Sequence, residues 1–122
     1  ILSASSVDMY NPKVVRSTMG AIFRVPHFYT EDFFGELEAL KACGATLYAA
    51  HLLGKQYYDE PEYTGRSVIL IGNEANGLSE EAARRADCLV KIPMEGKAES
   101  LNAAVATSLF VYEAYRKRRN RE

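Results

Sequence analysis

Residues 67–71, Ser-Val-Ile-Leu-Ile, form an almost unbroken apolar run that stops at Gly72. A strand with one wet face alternates apolar and polar residues. A continuous run instead predicts a strand buried on both faces, and therefore a parallel sheet flanked by helices. Two further runs fit the same sheet: Thr46 to His51, and Asp87 to Ile92 closed by Pro93. Ala21-Ile-Phe-Arg-Val reads as a shorter strand stopped by Pro26.

Helical signals lie between these runs. Asn11 and Pro12 suit the N-cap and first position of a helix reaching about Met19, with Gly20 ending it. Thr30 is the expected cap of the next helix, with Glu31 and Asp32 in its first turn and Gly44 just past its end. Phe33, Phe34, Leu37 and Leu40 recur on one face of it. Ser79 caps a short helix to Arg85, and Ser100 or Asn102 opens the last one, with Leu101, Val105, Leu109 and Tyr112 on one face. Residues 53–66 read as a polar, aromatic connection. Strands alternating with helices give an α/β fold with a mostly parallel sheet and helices on both faces, in one domain spanning residues 1–122.

The formal net charge is -1, so nucleic acid would have to be held by local basic patches rather than by a global field. Cys43 and Cys88 form no C-x-x-C pair and read as small core residues of a reduced protein, with the cytoplasm as the default compartment. No run approaches the roughly 20 apolar residues that span a bilayer.

In parallel sheets, ligands bind at the carboxyl ends of the strands. Two loops fall there. Ile71-Gly-Asn-Glu-Ala-Asn-Gly-Leu-Ser holds Gly72 and Gly77, which permit close backbone approach, with the Glu74 carboxylate between them. Lys91-Ile-Pro-Met-Glu-Gly leads to Glu99-Ser-Leu-Asn-Ala-Ala-Val-Ala, where small residues and helix-start amides can receive a ligand. Taken singly, each loop is better explained by turn geometry or helix capping. His27 and His51 lack metal-ligand spacing and read as ordinary surface or core residues; no metal site is expected. P-loop, dinucleotide and nucleophile-elbow motifs are absent.

Taken in order, three segments are far more specific. Val7 to Pro26, Ile71 to Ser79, and Ile92-Pro-Met-Glu-Gly with Glu99 to Ala106 resemble the SpoU (TrmH-like) branch of the SPOUT RNA methyltransferases. The resemblance implies a C-terminal deep trefoil knot and a pocket for S-adenosyl-L-methionine between the two loops. It implies Gly72, Ile92, Met94 and Leu101 as cofactor contacts, and Glu74, Ser100 and Asn102 as the polar residues of the reaction centre. The reaction implied is methylation of a ribose 2′-hydroxyl in rRNA or tRNA, with structured RNA as partner rather than DNA or a membrane. Lys13, Arg16, Arg116 and Arg118 are the candidate RNA contacts, and the family's dimers bring the last helix near the interface. The alternatives are a non-catalytic module that keeps the pocket and binds S-adenosylmethionine or RNA, and an unknotted nucleotide-binding domain.

One departure stands out. The family credits proton removal to an arginine in an Asn-x-Gly-x-x-x-Arg segment upstream of Ile1, within a strand-helix unit that these residues lack, and Arg16 does not occupy its place. The expectation is that residues 1–122 alone keep much of the cofactor pocket but transfer little or no methyl. Turnover on a cognate RNA equal to that of an N-terminally extended chain would refute it.

Overall fold

The computed structural model describes residues 1–121, which form two compact units, Ile1–Glu38 and Ala39 onward. In the first unit β1 (Leu2–Ser3) pairs in parallel with β2 (Tyr29–Thr30). Between them α1 (Pro12–Ser17) starts where the Asn11 side chain accepts from the Lys13 amide, as the Asn-Pro signal predicts. The Tyr29 hydroxyl accepts from the Met9 amide at 2.8 Å and donates to the Val7 carbonyl at 2.5 Å, tying the loop before α1 to β2.

The strand expected over Ala21–Val25 is instead a 3₁₀ turn, Ala21–Phe23. Gly20, at φ +86°, turns the chain sharply. Local bonds from Phe23 to Gly20 and from Arg24 to Ala21 then satisfy the backbone without a partner strand. Only Ile22 of this turn is buried.

Helix α2 (Phe33–Ala42) runs across the boundary between the units. Its start corrects the expected Thr30 cap. The Asp32 carboxylate accepts from the Gly35 amide, and Thr30 accepts from the Asp32 amide one step earlier. Asp32 therefore caps the helix instead of lying inside its first turn. Leu37 is the fully buried member of the apolar face, with Phe33, Phe34 and Leu40 half-buried.

The second unit carries β3 (Ala45–Ala50), β4 (Gln56–Tyr57), β5 (Arg66–Leu70), α3 (Glu80–Arg85), β6 (Cys88–Lys91) and α4 (Ala103–Arg119). All pairings in the sheet are parallel, in the order β4-β6-β3-β5. The most buried strand is β3. The apolar run that predicted a strand covered on both faces became β5, an edge strand among the described residues, half-buried until Leu70. Ser79 caps α3 by accepting from the Ala82 amide. Asp87 locks the turn after α3: its carboxylate accepts from the Leu47 amide at 2.8 Å and pairs with Lys41 Nζ at 3.2 Å.

Residues 53–66 are more structured than their composition suggests. At Val90 the chain stands on both sides of β6, Ala50 on one edge and Gln56 on the other. Residues 51–55 step across the strand, and Gly54 lies directly on its backbone. A Cβ there would fall 2.7 Å from the Val90 carbonyl carbon and from the Lys91 nitrogen. A few residues on, Tyr63 is fully buried at φ +47°, and its hydroxyl donates to the Tyr58 carbonyl. Tyr48, Tyr63, Val90 and Phe110 make one core cluster. The Tyr48 and Tyr63 rings are 4.8 Å apart, and burial raises both phenol pKa values.

Side-chain burial overturns two further expectations. The buried face of α4 carries Phe110 and Glu113, whereas Val105 is 50% and Tyr112 is 73% exposed. Glu113 can be buried because Arg116, three residues on, grips both its oxygens, which holds its carboxyl below the usual range. Cys43 is exposed rather than a core residue, while Cys88 is half-buried with its thiol 2.8 Å from Gln56 Oε1; both are free. Among the described residues no helix is long and apolar enough to cross a membrane.

Gly54→Ala is expected to destabilise the protein by about 1–3 kcal/mol, since backbone rather than a yielding side chain opposes the methyl. Urea unfolding measures this as a lower midpoint at unchanged slope. An unchanged midpoint would contradict the contact.

Candidate functional site

The carboxyl ends of β3, β5 and β6 open into a cavity of about 440 Å³. Its floor is the upper edge of the core: Ala50, Ile71, Val90, Ile92 and Phe110 line the cavity, and all belong to or pack against the core cluster. Two irregular segments wall it, residues 71–78 after β5 and residues 92–101 after β6. The size and the apolar floor suit a small organic ligand.

The first wall folds tightly on itself. Asn73 accepts the Gly77 amide on its carbonyl, and its side-chain oxygen takes the amides of Ala75 and Asn76. Gly77 takes φ +66° to complete the turn. The turn brings Gly77 so close to Gly72 that a Cβ on Gly72 would lie 2.0 Å from the Gly77 carbonyl carbon. Glycine at 72 is thus required by close approach of backbone to backbone. The second wall leads into α4, whose Ala103 and Ala106 face the cavity with small side chains.

Gly72, Glu74, Ile92, Met94, Ser100 and Leu101 all line this one cavity. They divide by depth: Gly72, Ile92, Met94 and Leu101 are half-buried, while Glu74 and Ser100 are exposed. The apolar part is inside and the polar part faces solvent. Asn102 stands apart. It does not line the cavity, and its side chain accepts from the Ala104 and Val105 amides as the N-cap of α4, which also decides between Ser100 and Asn102 as the helix start. Among the described residues no cluster of side chains could hold a metal ion.

The expected RNA contacts fall in both units. Lys13 and Arg16 are exposed on α1, in the first unit. Arg116 is bound to Glu113, and Arg118 donates to the Tyr63 and Gly65 carbonyls. Lys117 and Arg121 both reach Glu62. The basic run from Arg116 to Arg121 thus spends Arg116, Lys117, Arg118 and Arg121 on contacts within its own unit. Asn73 and His51 are two cavity residues that sequence reasoning missed. For Asn73 the signal was present, an Asn followed by Glu-Ala-Asn-Gly, the pattern of a side chain that bonds its own backbone two residues on.

Residues 1–112 match the SpoU rRNA Methylase family. The chain belongs to that family. This SpoU-family chain is 35% identical to a 23S rRNA (uridine(2479)-2′-O)-methyltransferase of Streptomyces viridochromogenes, the similarity covering 97% of the chain and 43% of the relative. It is 30% identical to the 23S rRNA (guanosine(2553)-2′-O)-methyltransferase RlmP of Bacillus subtilis, over 92% of the chain and 45% of the relative. It superimposes on the crystal structure of the SpoU methyltransferase AviRb from Streptomyces viridochromogenes, solved in complex with AdoMet. That match has a TM-score of 0.87 at 35% identity and covers 98% of this chain and 49% of the other. The SpoU-family chain thus spans about half the length of the curated relatives it matches.

Asn102→Ala is expected to cost about 1 kcal/mol of stability, and Asn102→Asp or Asn102→Ser to retain most of it. Thermal unfolding of the three variants checks this. Equal loss in all three would show that the side chain acts elsewhere than at the helix start.

Proposed function

We propose that this chain carries the methyl-donor site of an S-adenosyl-L-methionine-dependent RNA ribose 2′-O-methyltransferase acting on rRNA or tRNA. The observation that carries the reading is the single cavity in which residues 71–78 and 92–101 lie side by side over an apolar floor. Support also comes from the Streptomyces viridochromogenes relative, named as a 2′-O-methyltransferase, and from AviRb, crystallised with AdoMet.

The residues present fit the proposed ligand. Ile71, Ile92 and Leu101 offer apolar surface to a planar base, with Val90 and Phe110 buried beneath them. Gly72, Ala103 and Ala106 leave room for a ligand to approach the main chain. When bound, S-adenosylmethionine supplies a sulfonium methyl that a hydroxyl oxygen can accept. A ribose hydroxyl is a weak nucleophile, so its approach and its proton need polar partners. Glu74 and Ser100, exposed at the cavity, are the residues we assign there: the carboxylate accepts a hydrogen bond from the incoming ribose, and the serine hydroxyl orients it. Asn102 is a positioning residue, fixing the first turn of α4 and with it Ala103 and Ala106. Arg16 is not assigned a catalytic role.

We further propose that the step of residues 51–55 across β6 is part of a deep trefoil knot. The support is that β6 lies between two segments, β3 and β4, that are consecutive in the chain. Lys13 and Arg16 are the proposed phosphate contacts. Arg116 and Arg118, already bonded within the chain, are weaker candidates. A homodimer through α4 is supported by its exposed Val105, Val111, Tyr112 and Tyr115. A cytoplasmic site is supported by the two free thiols.

Calorimetric titration of S-adenosylmethionine tests the pocket. Binding should weaken at least about tenfold, roughly 1.4 kcal/mol, in Gly72→Ala, whose wall cannot close. Transfer of labelled methyl to rRNA or tRNA, with the product resistant to alkali at one linkage, tests the reaction. Wild-type protein that binds no S-adenosylmethionine would overturn the reading. Binding without transfer, even in an N-terminally extended chain, would leave a binding module in place of an enzyme.

A further inference from the structure

His51 follows the last residue of β3, at the end of the sheet where the cavity opens. Its main chain is held on both sides. Its amide donates to the Val90 carbonyl at 2.9 Å, and its carbonyl accepts from the Gly54 amide at 2.9 Å. Its ring is held as well, because Nδ1 lies 3.1 Å from the Leu53 amide nitrogen. A backbone N–H can only donate, so Nδ1 is the acceptor and the neutral ring carries its proton on Nε2. No protein group among the described residues bonds Nε2. The residue is half-buried and lines the cavity beside Ala50, Ile71 and Val90. Leu52 and Leu53 are exposed, so hydrogen bonds and the close contact of Gly54 with β6, not the leucine side chains, hold this turn. An imidazole fixed through one nitrogen, with the other left as a donor, is a preorganised contact.

We infer that His51 donates its Nε2–H to an acceptor on the nucleoside half of the methyl donor. The inference rests on the cavity being the methyl-donor site. The floor around His51 decides which half of the ligand it meets. Ala50, Ile71, Val90 and Phe110 offer no charged partner, so an amino-acid carboxylate or ammonium placed there would be desolvated without compensation. A base or ribose brings an apolar face together with neutral acceptors. Of the charged lining residues, Glu74 and Glu99 come from the two loop walls, and Lys91, which follows Val90 on β6, holds its Nζ over the Tyr57 ring, 5.2 Å from the centroid.

Calorimetric titration of S-adenosylhomocysteine and of adenosine against the full chain and three variants tests the inference. His51→Asn sets an amide oxygen near the Nδ1 position and keeps the acceptor for the Leu53 amide. His51→Gln reaches further and keeps a donor near the Nε2 position. His51→Ala keeps neither. The expected result is that His51→Ala and His51→Asn weaken both ligands by the same factor, about five- to tenfold, the worth of one neutral hydrogen bond, while His51→Gln recovers most of the affinity. Recovery by His51→Asn and not by His51→Gln would overturn the inference in favour of a turn-holding role. Weakening of S-adenosylhomocysteine with adenosine unaffected would overturn it by placing the donor on the amino-acid tail. Wild-type protein that binds neither ligand would overturn the pocket assignment itself, and this inference with it.

Discussion

The passage of β6 between two consecutive segments of chain is the constraint on which the second unit depends. Val90 has Ala50 on one edge and Gln56 on the other. The intervening turn crosses the strand at the one residue without a side chain to obstruct it, Gly54. Both edges of β6 are thereby hydrogen-bonded, the His51 amide to the Val90 carbonyl and the Tyr58 amide to the Lys91 carbonyl. A strand held on both edges delivers its exit, Ile92 to Leu101, to a fixed place beside the exit of β5. The cavity is the space those two exits enclose.

Packing below the cavity and ion pairs on α4 keep that arrangement in register. Phe110 joins the two, since it belongs to the core cluster and lines the cavity as well. Burying a side chain of that size contributes about 1.5–3 kcal/mol. The far end of α4 is tied to residues 62–65, with Arg118 on the Tyr63 and Gly65 carbonyls and Lys117 and Arg121 on Glu62. These contacts fix the axis of the helix, and its small N-terminal residues are then set against the ligand space. The exposed ion pairs add little individually. Their use is geometric.

Much of this was legible in the residues. Apolar runs marked β3, β5 and β6, and Asn11 and Ser79 announced their helices through side chains well suited to accept a backbone amide. The two loops at the strand ends were found from glycine and proline punctuation together with their order along the chain. What escaped notice shares a cause: it depends on partners that no local pattern encodes. Gln56–Tyr57 is too short and polar to read as a strand, and becomes one only because β6 lies beside it. Ala21–Phe23 has strand-like composition, but after Gly20 turns the chain its backbone bonds locally instead. The buried face of α4 was misassigned because Glu113 looks like a surface residue until Arg116 is seen to neutralise it. His51 looked ordinary because its meaning lies in which nitrogen the Leu53 amide occupies, and no spacing rule encodes that.

That residues 71–78 and 92–101 form one site for one ligand is tested most directly by backbone NMR during titration with S-adenosylhomocysteine. The amides of Gly72, Gly77, Ile92, Met94 and Leu101 are predicted to shift together along a single saturation curve, with α1 and the distal end of α4 unmoved. Shifts confined to one of the two segments, or two segments saturating at different ligand concentrations, would contradict a shared site.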